Sequence, residues 1–491
     1  MSRSVQADWG REGSLGGTAA RGGVVTALGT WSRFLLQLAT MVVVARLVGP
    51  AEYGTASVLL VLVLFAELVR AGGVLAAVVR ATPLGPGVVS TLHVLSIAAG
   101  AACAAAVLAV PPLTRAAPLL PDLDIPPVLA VVFVAAGLGA VPTALLSRNL
   151  RFLTIALAEV ASTVVAATTA VLLALHGAGA GALVAQAVVY AVSLCVLILA
   201  SCPWRPTRPA PLADVRGEAA FALDVTTVQF VEWAIRTADR VVVAALFGST
   251  AVGLWAQASQ LLVLPLEQVN GPLRRVAVPV LAKVVHDDDR YAAGFRALLG
   301  LTCTVLWPAF AVLGVLADVV VVLLFGEAWQ GSSAVFRGLL GVAVAQTVAY
   351  VVAWVFVSTG AGRRQRLFTV ATLPLLAIAY AVGSSWGVVG VAAASSVAAV
   401  VTVVPAFLLA ARDTPLSVRD LGRPLPAPAL VAATCAVVAM AVRDALGDAP
   451  AVLLVTVGGA VSLAAWATVV ALLPPCRRPL VLVLGRLRRS A

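Results

Sequence analysis

The sequence is poor in charge, since only 11% of its 491 residues are Asp, Glu, Lys or Arg, whereas 61% are hydrophobic. Soluble domains carry roughly a quarter charged residues, so this composition excludes an ordinary soluble protein. Histidine occurs only three times, without an HExxH pattern, and no nucleotide-binding glycine loop is present. These absences argue against a zinc hydrolase or a nucleotide-driven enzyme.

Cysteine is also scarce and shows no metal-binding pattern. The six cysteines lie in or beside apolar segments and lack the short spacings of zinc ligands. Isolated cysteines in apolar surroundings act as small hydrophobic side chains. The sequence therefore predicts no metal site and no cofactor.

Long apolar segments, by contrast, recur from one end of the sequence to the other. Fourteen of them have about the 17–25 residues that a membrane-spanning helix needs. These predicted spans are 24–47, 55–79, 88–110, 127–146, 154–175, 179–202, 220–247, 253–273, 298–325, 334–358, 367–384, 387–411, 428–443 and 451–473. The sequence thus predicts an all-α polytopic membrane protein.

The basic residues predict the orientation of these spans. Arginines occur in both tails and in the loops after even-numbered spans, whereas the opposite loops hold only Arg115 and Arg443. This asymmetry follows the positive-inside rule and predicts a multi-pass protein of the cytoplasmic membrane with both termini cytoplasmic. It also accounts for the net charge of +11, so no nucleic-acid partner is expected.

An internal repeat suggests how the chain is divided. Residues 39–49 and 238–248 share one pattern, and at the same offset Gly54 aligns with Gly253. Such duplications are a common construction of transporters. The predicted segments are a cytoplasmic tail (1–23), an N-lobe with spans 1–6 (24–202), a linker (203–219), a C-lobe with spans 7–12 (220–411), a C-terminal helix pair with spans 13 and 14 (412–473) and a basic tail (474–491).

Span 7 carries an unusual set of polar residues. At about 100° per residue, five of its side chains fall within a wedge of roughly 100° on one helix face. They are Gln229, Glu232, Arg236, Asp239 and Arg240. Ionisable groups at membrane depth cost several kcal/mol, so they normally face a bundle interior or a water-filled cavity.

Spans 1, 2 and 8 add further polar side chains, and the repeat aligns spans 1 and 2 with spans 7 and 8. We therefore predict one substrate cavity lined by Arg33, Gln37, Glu67, Arg70, Glu232, Arg236, Asp239, Arg240, Gln257 and Gln260. The planar guanidinium group suits phosphate and diphosphate.

The carboxylates of this predicted cavity have two interpretations. Glu67, Glu232 and Asp239 are candidates for ion coupling, and the sequence does not choose among them. The alternative for Glu67 is a structural ion pair with Arg70, since residues three apart share a helix face. Glu159 falls near the end of predicted span 5, where it is expected to extend to the membrane surface.

Several motifs give the chain a family resemblance. They are ARLVGPAEYG (45–54), LLSRNLRFLTIALAEV (145–160), LVAQ (183–186), ADRVVVAALFGSTAVGLWAQASQLLVLPLEQV (238–269), RRVAVPVLAKV (274–284) and FGEAW (325–329). With these motifs the chain resembles the Wzx-type flippases, the polysaccharide transporters of the multidrug/oligosaccharidyl-lipid/polysaccharide exporter superfamily. The likeness is to the colanic-acid-exporter branch.

The resemblance implies two six-helix lobes around a central cavity, here with two further C-terminal helices. It implies a transporter, not an enzyme, that flips an undecaprenyl-diphosphate-linked oligosaccharide to the outer leaflet by alternating access, for export of a surface polysaccharide. Membrane lipid and polysaccharide-assembly proteins such as a polymerase are the implied partners. The matched positions with family-like roles are Arg33, Arg70 and Asp239.

Three other functions stay open at this point. Within the same superfamily, the alternatives are a lipid II flippase or a multidrug exporter, although an arginine-rich cavity disfavours organic cations. A membrane-bound polysaccharide polymerase or ligase is the alternative from another class. Such enzymes need catalytic loops outside the bilayer, and the predicted external loops are short.

Overall fold

The computed structural model describes residues 33–80, 85–116, 125–412, 414–447 and 449–477. Throughout these ranges the chain forms helices and turns, without a strand, so the predicted all-α class is confirmed. The predicted N-terminal tail, the first part of span 1 and most of the basic C-terminal tail lie outside the described residues.

The chain forms two compact units, of which the first ends at Gly253 and the second begins at Leu254. The described residues of the first unit form seven helices and the beginning of an eighth. They are α1 (33–47), α2 (Pro50–Ala71), α3 (Gly73–Arg80), α4 (Pro86–Ala116), α5 (Ala130–Arg148), α6 (Phe152–Leu175), α7 (Ala180–Ser201) and the part of α8 (Arg216–Lys283) before Leu254.

The described residues of the second unit include the remainder of α8 and the helices α9 to α18. They are α9 (Asp288–Val315), α10 (Ala317–Phe325), α11 (Gly331–Gly338), α12 (Leu340–Ser358), α13 (Gly362–Ala371), α14 (Leu373–Gly383), α15 (Gly387–Ala411), α16 (Val418–Gly422), α17 (Pro426–Leu446) and α18 (Ala451–Leu472). The core of this unit contains the aromatic side chains of Phe295, Trp354 and Phe407, and the rings of Phe295 and Phe407 are 5.6 Å apart.

Eleven helical segments of the described chain are long and apolar enough to cross a membrane. Two of them contain two predicted spans each: Leu212–Lys283 holds spans 7 and 8, and Gly362–Ala411 holds spans 11 and 12. The breaks fall at Gly248 (φ 78°) and Gly387 (φ 70°), in the left-handed region that glycine adopts without steric cost. Together with span 1, these segments account for the fourteen predicted spans.

Helix α9 begins ten residues earlier than predicted span 9, and a local cap explains the difference. The Asp287 carboxylate accepts a hydrogen bond from the Arg290 backbone N–H at 3.1 Å. An N-cap of this kind satisfies a donor that the first helical turn leaves free. The apolar pattern alone identified the part of the helix that suits a bilayer, not its polar first turns.

A proline inside α9 leaves a backbone carbonyl without its helical partner. Pro308 has no N–H, so the carbonyl of Thr304, four residues earlier, cannot form its usual hydrogen bond. The indole N–H of Trp466 on α18 donates to this carbonyl at 2.9 Å. The C-terminal helix pair therefore stabilises the proline-containing region of α9.

The first part of α8 packs against α2 within the first unit. The rings of Phe65 and Trp233 are 5.0 Å apart, and the Trp233 indole donates to the Val61 carbonyl at 3.2 Å. Predicted span 7 therefore packs against a helix of the first unit. The division into lobes at 203–219 stays a prediction.

The two glycines that the repeat aligns lie at one close contact. A Cβ atom at Gly54 would overlap the backbone carbonyl of Ser249, and a Cβ at Gly253 would overlap that of Pro50. Only glycine permits two backbones to approach this closely. The first turns of α2 and the segment that follows Gly248 therefore pack against each other in a reciprocal manner.

Candidate functional site

A cavity of about 250 Å³ lies within the first unit, between α1, α2, α5 and α7. Small residues of α5 leave space at its wall, where larger side chains would fill it. The lining residues are Arg33, Gln37, Val63, Leu64, Ala66, Glu67, Arg70, Val132, Ala135, Ala136, Gly139, Thr143, Tyr190, Ala191, Leu194, Cys195 and Ile198. Four of the ten predicted site residues, Arg33, Gln37, Glu67 and Arg70, thus meet at this cavity.

Helix α2 contributes an ion pair. Nε of Arg70 donates to Oε2 of Glu67 at 2.8 Å, and Nη2 of Arg70 contacts the other carboxylate oxygen. The spacing of three residues places both groups on one face, as the sequence predicts. The Arg70 side chain is only 13% exposed, whereas Glu67 is 45% exposed, so the arginine is the more deeply held partner.

Arg33 is held by two residues from other helices. Its Nη1 donates to Oε2 of Glu159 on α6 at 3.2 Å. Its guanidinium carbon lies 5.4 Å from the centre of the Tyr190 ring on α7, within the range of a cation–π contact. Helices α6 and α7, both distant from α1 in the sequence, therefore fix the position of this one arginine.

Neither Glu159 nor Tyr190 was among the predicted site residues. Glu159 was expected to extend to the membrane surface, but it lies two turns inside α6 and pairs with Arg33. The sequence could have indicated that Glu159 is paired inside the bundle, because an isolated carboxylate in an apolar span needs a partner. Tyr190 stands in the apolar α7 without any pattern that would have marked it.

The charges at the cavity, together with that of Glu159 beside it, are balanced. Arg33 and Arg70 carry two positive charges, while Glu67 and Glu159 carry two negative ones. Arg70 also lies within electrostatic reach of Glu159 and Tyr190, so the two ion pairs form one cluster. A balanced cluster reduces the cost of keeping four charges in an apolar helix bundle.

The polar face of span 7 is only partly described. The side chains of Glu232 and Arg236 lie outside the described part of the structure, although their backbone is helical. Asp239 and Arg240 are half-buried, and Oδ1 of Asp239 accepts the Arg240 backbone N–H at 2.8 Å. These two residues are not among those that line the cavity of the first unit.

Gln257 and Gln260 belong to the second unit. Gln257 is fully buried, and neither its amide nitrogen nor its amide oxygen has a hydrogen-bond partner among the described residues. Farther along α8, Glu267 accepts a hydrogen bond from the Tyr350 hydroxyl at 2.9 Å. The role of Gln257 and Gln260 in a shared substrate site stays a prediction.

The arrangement in the first unit suits an anion with several oxygens. Two guanidinium groups on one cavity can each donate in a fork to phosphate oxygens. The carboxylates beside them limit the net positive charge, so such an anion is not held irreversibly. Within the described residues, no cluster of three or more His, Cys, Asp or Glu side chains is placed to bind a metal ion.

Comparison with known proteins connects this geometry to a family. The profile of the family described as "Polysaccharide biosynthesis protein" matches residues 43–334, more than half of the chain. The lipopolysaccharide biosynthesis protein WzxC of Escherichia coli (strain K12) is 26% identical over 320 residues, which cover 64% of this chain and 64% of that protein.

A second relative agrees with the first. The succinoglycan biosynthesis transport protein ExoT of Rhizobium meliloti (strain 1021) is 24% identical over 319 residues, covering 62% of this chain and 64% of ExoT. The matches therefore span just under two thirds of the length of both relatives. The resemblance to Wzx-type polysaccharide transporters is confirmed.

The fold is similar to that of a solved transporter. Lipid II flippase MurJ, in an inward closed conformation, aligns with a TM-score of 0.66 and 12% sequence identity, covering 91% of this chain and 98% of MurJ. At this identity the likeness concerns the fold alone. It confirms the polytopic architecture that the apolar segments predict.

Proposed function

Because the chain belongs to the polysaccharide biosynthesis protein family, we propose that it is a flippase for an undecaprenyl-diphosphate-linked oligosaccharide. It moves this lipid from the inner to the outer leaflet of the cytoplasmic membrane by alternating access, for export of a surface polysaccharide. The observation that carries the proposal is the cavity lined by Arg33 and Arg70 in an apolar helix bundle.

The charged groups explain why a diphosphate suits this cavity. Guanidinium groups bind phosphate through paired N–H donors of fixed geometry, and a bundle of low polarity strengthens such contacts. The partner carboxylates, Glu67 and Glu159, occupy the arginines when the cavity holds no ligand. A diphosphate replaces them as the hydrogen-bond acceptor and is released when they return.

We propose Glu67, Glu232 and Asp239 as the candidate residues for ion coupling. Among them Glu67 is paired with Arg70 at the cavity and is 45% exposed, so water reaches its carboxylate. The same proposal includes an orientation with both termini in the cytoplasm and a partnership with a polymerase. It includes neither a cofactor nor a catalytic centre. Membrane lipid is the surrounding partner, and no nucleic acid is involved.

A deletion strain tests the proposal. Without the protein, lipid-linked oligosaccharide is expected to accumulate in the inner leaflet, and the surface polymer should be lost. Normal polymer export together with hypersensitivity to cationic dyes would favour a multidrug exporter instead. Arrest of cell-wall synthesis with accumulation of lipid II would favour a lipid II flippase. Loss of polymer with normal flipping would favour a polymerase or ligase.

A further inference from the structure

The Tyr190 hydroxyl is the unexplained polar group of the first-unit cavity. Its oxygen is buried and has no hydrogen-bond partner among the described residues, although the side chain lines the cavity. Burying a hydroxyl without a partner is unfavourable, and buried polar atoms in proteins are nearly always paired. The hydroxyl therefore needs a partner that enters the cavity.

The ring of Tyr190 does not require this hydroxyl. It packs against an apolar cluster that includes Leu146, Leu194 and Ile198. The same ring lies 5.4 Å from the Arg33 guanidinium carbon. A phenylalanine would make both contacts equally well, because packing and cation–π attraction depend on the ring. The hydroxyl group must have a separate role.

The threonine and the charged groups of the cavity already have partners, and Gln37 is a further polar residue of its lining. Thr143 donates to the Gly139 carbonyl of its own helix at 2.7 Å, and the two arginines bind the two glutamates. Tyr190 lies within electrostatic reach of all four charged groups. An anion that displaces the glutamates from the arginines will therefore come close to the tyrosine hydroxyl.

We propose that the Tyr190 hydroxyl donates a hydrogen bond to a phosphate oxygen of the bound lipid, as a third donor beside Arg33 and Arg70. This inference rests on the proposed function, because it needs a diphosphate lipid as the ligand. A neutral donor is suited to this position, since it strengthens binding of the anion without disturbing the charge balance of the cavity. The apolar packing of the ring holds the donor in place before the ligand arrives.

Titration of the purified full-length protein in lipid nanodiscs tests the inference. The ligands are an isoprenyl diphosphate and the isoprenyl alcohol of the same chain length. For Tyr190→Phe, the Kd of the diphosphate is expected to rise about tenfold, as for loss of a hydrogen bond to a charged group, while that of the alcohol stays unchanged.

The matched control is Tyr291→Phe in the second unit. The Tyr291 hydroxyl has a partner in the protein, Oγ of Ser358 at 2.8 Å, so this variant should bind both ligands like the parent protein. Thermal unfolding of each variant checks that the substitution leaves the fold intact.

The possible results separate the two proposals. Suppose that the parent protein binds the diphosphate. An unchanged Kd of the diphosphate in Tyr190→Phe would then overturn the role of the hydroxyl, and so would an equal loss of affinity for the diphosphate and the alcohol. Failure of the parent protein to bind the diphosphate would overturn the proposed function and this inference together. A loss of affinity confined to the diphosphate supports both the proposed function and the role of the hydroxyl.

Discussion

Replacing Glu159 with glutamine is expected to tighten binding of an isoprenyl diphosphate and to slow its release. Arg33 donates to Glu159 at 3.2 Å, so this arginine is occupied by a carboxylate before any ligand arrives. The neutral amide of glutamine is a weaker acceptor than a carboxylate. Glu159→Gln therefore frees Arg33 for the ligand and leaves the cavity with an additional positive charge.

The magnitude follows from the exposure of the pair. The Arg33 and Glu159 side chains are 31% and 28% exposed, which places the pair between a surface salt bridge and a buried one. For a pair that water screens to this extent, we expect a gain in binding free energy of about 1 kcal/mol, or a Kd about fivefold lower. The rate of flipping in proteoliposomes should fall by a similar factor, because the ligand leaves more slowly.

A second ion pair of the same kind provides the control. In the second unit, Nη1 of Arg296 donates to Oδ1 of Asp420 at 2.7 Å. Asp420→Asn makes the same acid-to-amide change outside the first-unit cavity, and it should leave the Kd unchanged. If Glu159→Gln binds the diphosphate as weakly as, or more weakly than, the parent protein, Glu159 does not compete with the ligand, and the reasoning is refuted.

Three further predictions concern other parts of the chain. Arg70→Ala should abolish complementation of a deletion strain while membrane insertion persists, because it removes the more buried cavity arginine; full activity would contradict this. Gly54→Val should lower the melting temperature and transport, since its Cβ overlaps a backbone carbonyl, whereas an unchanged melting temperature would exclude the close contact. Trp466→Phe should reduce the free energy of unfolding by about 1–3 kcal/mol by leaving the Thr304 carbonyl unpaired. Trp386→Phe, at a side chain that is 71% exposed, should have little effect, and equal melting temperatures for the two variants would contradict the assignment.

Features that depend on neighbouring positions could be predicted from the sequence. The apolar spans follow from residue composition over about 20 positions, and the Glu67–Arg70 pair follows from a spacing of three on one helix. The repeat also aligned Gly54 with Gly253, which lie at a reciprocal contact. In each case the information lies within one helix or in a direct alignment of two segments.

Features that depend on which helices are neighbours could not be predicted in this way. Arg33 and Glu159 are separated by 126 residues, and no spacing rule connects them. The polar wedge of span 7 showed that Asp239 and Arg240 share a helix face, yet these residues do not line the described cavity. A helical wheel identifies side chains that point in one direction, whereas the partner across from them is decided by packing.

The charge balance of the cavity suggests a reason for the pairing of arginine with glutamate in the proposed transport site. A site with two free arginines would bind a diphosphate tightly in both leaflets and would be costly to bury when empty. In the proposed mechanism Glu67 and Glu159 are alternative partners of the arginines, so the empty and loaded cavities would differ less in free energy. The proposed alternating access needs such a small difference, because the empty protein must return to its starting conformation after it has released the ligand. The carboxylates are therefore as much a part of the proposed transport site as the arginines that first mark it.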